Sequence, residues 1–156
     1  MGSRPVQDIF DGVYPPFETR HTGNSLTIEC GSELRFLDDI YRETDRFLRA
    51  LELEAPGLLI VLRELLRNAI IHGNGANPFQ TVSCDIYWDG EATVRVTVCD
   101  QGSGFDYQNL NYILPEDPRQ VDMRGYRLIH AYAQSLTIED NGRSVTVTLK
   151  ANPIVR

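Results

Sequence analysis

Four stretches of this chain alternate apolar and polar residues at period two: SLTIEC (25–30), TVSCDIYW (81–88), ATVRVTVC (92–99) and SVTVTLK (144–150). A strand patterned in this way turns one face toward a core and the other away from it. Between the first two stretches lie two segments of helical period. In the first, which starts near Glu33 with Ser32 as its expected cap, Leu34, Leu37, Ile40, Tyr41, Phe47, Leu48 and Leu51 recur at three and four. The second runs from about 57 to 72, with Pro56 at its start, and Gly73 stops it. A third helical pattern covers 124–133, and SLTIED with SVTVTLK forms a terminal hairpin around Asn141 and Gly142. Sheet faces that are apolar on one side only, interleaved with amphipathic helices, predict an α+β two-layer sandwich. Its sheet would be mixed but mostly antiparallel, with the helices on one face.

With 156 residues, of which 42% are hydrophobic and 24% charged, the chain has the composition of a single globular domain. We expect an extended leader over 1–23, one domain over 24–152, and a lid over 105–124, where a long polar segment containing proline interrupts the pattern. A formal charge of −7 and the lack of a basic stripe argue against direct nucleic-acid binding. The sole lysine, Lys150, excludes a catalytic lysine elsewhere and a Walker-type phosphate loop. Cys30, Cys84 and Cys99 lack C-x-x-C spacing, which favours buried free thiols over a disulfide or a metal site. No apolar run is long enough to span a bilayer and no signal peptide is visible, so the expected address is the cytoplasm, away from membranes.

The second helix carries ELLRNAIIHGN (64–74). At ~100° per residue, Leu58, Leu62, Leu65, Leu66, Ala69 and Ile70 share one stripe, with Glu64, Arg67, Asn68 and His72 opposite. Two readings stay open here. The polar arc is either a solvated face or, because Ile60, Val61 and Ile71 fall within it, a mostly apolar pocket wall with a few placed polar groups. A carboxylate there can deprotonate a nucleophile, and an Asn oxygen one turn away can hold Mg²⁺. Further on, VRVTVCDQGSGF (94–105) runs a strand straight into Asp100, Gly102, Gly104 and Phe105. This places an acceptor at a fixed point and leaves backbone that a ligand can approach closely.

Taken together, E-x-x-x-N-A-x-x-H-G-N on a helix, a strand ending in D-x-G-x-G-F, a long lid and a glycine at a helix start resemble the GHKL ATPases of the Bergerat fold, across about residues 24–150. The lead-in over 25–73 resembles the stand-alone anti-sigma factor serine kinases. The resemblance implies ATP and Mg²⁺ as ligands, Glu64 as catalytic base toward a serine hydroxyl, and Asn68 as the metal ligand and part of the nucleotide site. It further implies that His72 and Gly73 lie near the phosphates and that Asp100 accepts from the adenine amino group. Gly102, Gly104 and Phe105 would shape the base pocket and the lid's first hinge, and Arg124 and Gly125 would sit in the last box. Implied partners are an anti-anti-sigma domain and a sigma factor, with Arg35 and its neighbours as the contact surface and a homodimer as the assembly. Met123 stands where that box usually has its first glycine. The departure leaves a non-catalytic or nucleotide-gated binding module as the alternative function.

Overall fold

The computed structural model describes residues 13–103 and 121–155, with side chains of the last segment described from 127 onward. Among the described residues eight strands are formed: β1 (Glu18–His21), β2 (Ser25–Gly31), β3 (Leu53–Glu54), β4 (Thr81–Trp88), β5 (Thr93–Cys99), β6 (Ser135–Glu139), β7 (Ser144–Lys150) and β8 (Asn152–Pro153). The helices are α1 (Leu37–Ala50), α2 (Leu58–Arg67) and α3 (Val121–Tyr132). Six strands make one sheet in the order β1-β2-β4-β5-β7-β6, and β3 pairs with β8 in a second, two-stranded one. Every described pairing is antiparallel, so the expected mixture of directions reduces to a single kind.

The period-two pattern decides which side of the sheet is covered. Leu26, Ile28 and Cys30 of β2, Val82, Cys84 and Ile86 of β4, Val94, Val96 and Val98 of β5, and Val145, Val147 and Leu149 of β7 are all buried. They meet Leu58, Val61, Leu62, Leu65, Leu66, Ala69 and Ile70 from the helix layer, together with Ile40, Phe47 and Ile129. At about 25 cal/mol per Å² of apolar surface removed from water, this one continuous layer is the main source of stability. The opposite sheet face is rich in hydroxyls: Thr27 donates to Asp85 at 2.7 Å, and Thr97 and Thr146 pair at 2.9 Å. Cys30 and Cys84 are free thiols within the core, and burial pushes the Cys30 thiol up to about 12, with Asp39 and Glu33 adding to it. Burial raises Cys84 as well.

Local chemistry sets the boundaries, and several differ from expectation. Ser32 does not cap a helix; its hydroxyl is fully buried and donates to the Gln80 carbonyl at 2.9 Å. The chain instead enters α1 through a 3₁₀ turn, Leu34–Phe36, which leaves Leu34 exposed. Helix α2 begins just after Gly57, whose φ of 81° and ψ of −5° fit the third position of a type II turn closed by Leu58 N–H to Ala55 O at 3.0 Å. Pro56 therefore serves that turn and is not itself in the helix.

The leader also contributes structure. Residues 18–21 form the edge strand β1 on β2, Tyr14 stacks on Phe79 with centroids 4.5 Å apart, and Phe17 sits 5.7 Å from Phe36. From Tyr14 on, the leader docks on the domain it precedes. Helix α3 is already formed at Val121, the first residue described after 103 and three before the expected start, so Met123, Arg124 and Gly125 lie within the helix. The remainder of the expected lid, including Phe105, lies outside the described residues, as does Gly104.

Candidate functional site

Glu64 and Asn68 occupy successive turns, because α2 keeps regular geometry as far as Arg67 and Asn68 still donates its backbone N–H to Glu64 O. Beyond that the helix widens. Residues Asn68–Gly73 form a π turn, in which Asn74 N–H reaches back five residues to Ala69 O at 2.8 Å. Such turns take up one residue more than an α turn and occur often at functional sites. The widening falls within the polar arc: Glu64 and Asn68 lie one regular turn apart, whereas His72 belongs to the π turn and is exposed. The aliphatic members of the polar arc differ in burial. Val61 is buried and Ile71 half-buried, but Ile60 is open to solvent.

Glu64 and Asn68 are half-buried. The Asn68 side-chain nitrogen is sealed from solvent and finds no hydrogen-bond partner, as does the Tyr41 hydroxyl on α1. Burial raises the Tyr41 phenol, Asp38 and Glu64 add to the effect, and Arg63 and Arg67 oppose it. A sealed polar atom without a partner costs about 1–3 kcal/mol, and it fits a side chain whose partner is a ligand. The residues present therefore suit a phosphate and metal group beside Asn68: its nitrogen can donate to an oxygen while its own oxygen is an acceptor.

The second motif is pressed against the end of the π turn. A Cβ on Gly73 would lie 2.3 Å from an Asp100 carboxylate oxygen, and one on Gly102 would lie 1.8 Å from the Gly73 carbonyl oxygen. Neither position leaves room for a side chain. Two glycines from motifs 29 positions apart thus share one contact, with the Asp100 carboxylate packed beside them. That carboxylate accepts from the Gly102 N–H at 2.9 Å. Burial raises the Asp100 pKa, an effect that the Gly102 N–H and Arg143 offset and Asp140 reinforces. A half-buried carboxylate at a strand end, already holding one donor, is suited to accept a further N–H from a flat polar ligand.

Sequence reasoning missed the residues that hold this loop. Asn74, 4% exposed, donates to Ser32 Oγ at 2.6 Å and to Thr81 O at 3.1 Å, and accepts from Gln101 N–H at 2.7 Å. Gln101 in turn accepts from Thr81 N–H at 2.7 Å. Arg143 accepts the Asp100 N–H on its carbonyl at 2.9 Å, and its guanidinium pairs with Asp140 at 2.8 Å and reaches Gly102 O at 3.4 Å. Asn74 closes the quoted motif, so its position was in view, but nothing in the sequence sets it apart from a surface Asn. Arg124 and Gly125 lie on α3, and the structure describes only their backbone.

Fold and site together define an ATPase domain of the GHKL type. A family model described as a histidine kinase-like ATPase domain matches residues 34–149, and the chain belongs to that family. ATP is the ligand that this membership implies. A comparison with curated proteins gives no match. Among the described residues, no helix is long and apolar enough to cross a membrane.

Proposed function

We propose that the protein is an ATP-binding anti-sigma regulatory factor that phosphorylates a serine on an anti-anti-sigma partner and holds a sigma factor when that partner is absent. The observation that carries this reading is the packing of the Asp100 loop onto the end of the helix bearing Glu64 and Asn68, through Gly73 and Gly102. It couples a base-recognition carboxylate to a phosphate-side helix in a rigid unit. In this reading Asp100 accepts from the adenine amino group, and Asn68 holds Mg²⁺ and orients the phosphate end. Glu64 takes the proton of the attacking serine hydroxyl on its carboxylate. When held beside Asn68, a metal would supply positive charge to offset that of the transferring phosphoryl group. The partner surface is the outer side of the 3₁₀ turn and α1, where Arg35, held to Glu33 at 3.1 Å, stays largely exposed. A homodimer and a cytoplasmic setting complete the proposal.

A second reading, a nucleotide-gated binding module without transfer, is favoured by one observation. Helix α3 runs through Met123, Arg124 and Gly125, where the kinase family would place a glycine-rich approach to the phosphates.

The test is incubation with γ-labelled ATP, Mg²⁺ and an anti-anti-sigma partner. Phosphoserine on the partner supports the kinase, and its absence despite clear partner binding selects the module. Glu64→Ala should lower transfer by about 10²–10⁴-fold while calorimetry shows ADP affinity little changed. Asp100→Asn should weaken ADP by roughly tenfold or more, because an acceptor oxygen becomes a donor facing a donor. The reverse pattern would exchange the two roles.

A further inference from the structure

We infer that Asn74 is the positioning residue of the adenine pocket, setting where Asp100 sits relative to the phosphate-side helix through a buried amide hub. The inference rests on the nucleotide reading above and assigns the geometry of that site to a residue outside the ligand-contacting set.

Three chain segments that are distant in sequence meet at this one side chain. Its nitrogen donates to Ser32 Oγ at the exit of β2 and to Thr81 O at the start of β4, and its oxygen accepts from Gln101 N–H, the residue after Asp100. The orientation of the amide is dictated by its partners. A backbone N–H can only donate and a backbone carbonyl can only accept, so the oxygen must face Gln101 and the nitrogen Thr81. Ser32 Oγ passes its own proton to Gln80 O at 2.9 Å, leaving a lone pair for Asn74. Both amide donors and the acceptor are thus used, at a site where Asn74 is 4% and Ser32 0% exposed.

No other residue type meets these demands. Asp would set a carboxylate against the Thr81 carbonyl, Leu would leave the Gln101 N–H unpaired, and Gln is one methylene too long. The hub also explains why the π turn ends where it does. Asn74 N–H closes that turn on Ala69 O, so one residue terminates the helix with its backbone and fixes the adjoining loop with its side chain. Gly73, immediately before it, is the residue that Asp100 and Gly102 touch. A shift of Asn74 therefore moves the Asp100 carboxylate against Gly73. The adenine contact is the one expected to suffer, while Glu64 and Asn68, ten and six residues earlier on the helix, keep their places.

The test is a set of variants in the full chain: Asn74→Ala, Asn74→Asp and the milder Ser32→Ala, which removes one bond of the hub. ADP affinity is read by calorimetry, folding by thermal melting, and the loop by hydrogen exchange at the Gln101 and Gly102 amides. Asn74→Ala should weaken ADP about tenfold and speed exchange at Gln101, with β7 amides unchanged. Ser32→Ala should shift both in the same direction by less. Where transfer is measurable, its rate at saturating ATP should stay close to wild type, separating positioning from chemistry. Unchanged Gln101 exchange in every folded variant overturns the hub. Faster exchange with unchanged ADP affinity overturns its role in the pocket. If the wild-type chain takes no ADP, the nucleotide reading falls, and the hub is judged on Gln101 exchange alone.

Discussion

Gly73 and Gly102 are tightly constrained, and they differ in what a side chain would strike. At Gly102 the added carbon meets a backbone carbonyl, and at Gly73 it meets a carboxylate that can rotate. Gly102→Ala should therefore destabilise the fold by about 1–3 kcal/mol, the usual cost of overpacking against atoms that cannot move. Gly73→Ala should cost less stability but displace Asp100, so its effect should be seen in ADP binding before it is seen in melting temperature. Thermal melts set beside calorimetry on the two variants check the contrast. Asp100 itself titrates with the opposite sign to most carboxylates of folded proteins. Its pKa is raised, so ionising it costs stability above that value, and stability is regained as pH falls through it.

The β4–β5 connection shows how one residue can define an element. Asp89 accepts from the backbone N–H groups of Glu91, Ala92 and Thr93 at 2.8, 2.9 and 3.1 Å and from the Thr93 hydroxyl at 2.8 Å, around Gly90 at φ 84°. Those donors hold its carboxyl well below the usual range. A depressed carboxyl contributes stability that is present above its unfolded pKa, near ~3.9, and is lost as pH falls through the lower folded value. Asp89→Asn should lower the melting temperature at pH 7, with the gap to wild type narrowing steadily below about pH 4. An equal gap at both ends would mean that hydrogen-bond geometry, and not charge, sets the turn. The hairpin was legible from its alternation and from the glycine in its connection. The same holds for β2, β7 and the apolar stripe of α2, because burial selects residue type at every second or every third to fourth position. The π turn was not legible: NAIIHG has ordinary helical residues, and the extra residue is absorbed only because Asn74 finds its partners on Ser32, Thr81 and Gln101. Ser32 was misread for the same reason, since a serine before a helical run looks like a cap until its hydroxyl is seen to face the sheet. Glu64, Asn68, Gly73, Asp100 and Gly102 were visible as motifs, whereas the residues that hold them in place were not.

At the scale of the whole molecule, one core joins a six-stranded sheet to a helix layer, and the small β3–β8 sheet fastens the chain's far end to the α1–α2 connection. Leu53 pairs with Pro153 and Glu54 with Asn152, and Ile154 N–H donates to Glu52 O at 2.8 Å. Leu53 is 5% exposed. Removing residues 152–155 should uncover it and lower the melting temperature by several degrees, at about 1.5–3 kcal/mol for a fully uncovered leucine and ~2–4 °C per kcal/mol. A melt superimposable on the wild type would show that the pairing adds nothing. The same fastening has a consequence during synthesis. The partner strand of residue 53 is made 100 positions later, and the central strand β5 waits 45 to 57 positions for β7. Contacts of such long range slow folding. While the ribosome is still at work, the Glu64 helix and the Asp100 loop thus exist without the sheet neighbours that complete their layer. A nascent chain should resist protease only after β7 and β8 have cleared the exit tunnel, so that the nucleotide site becomes usable only well after its own residues have been made.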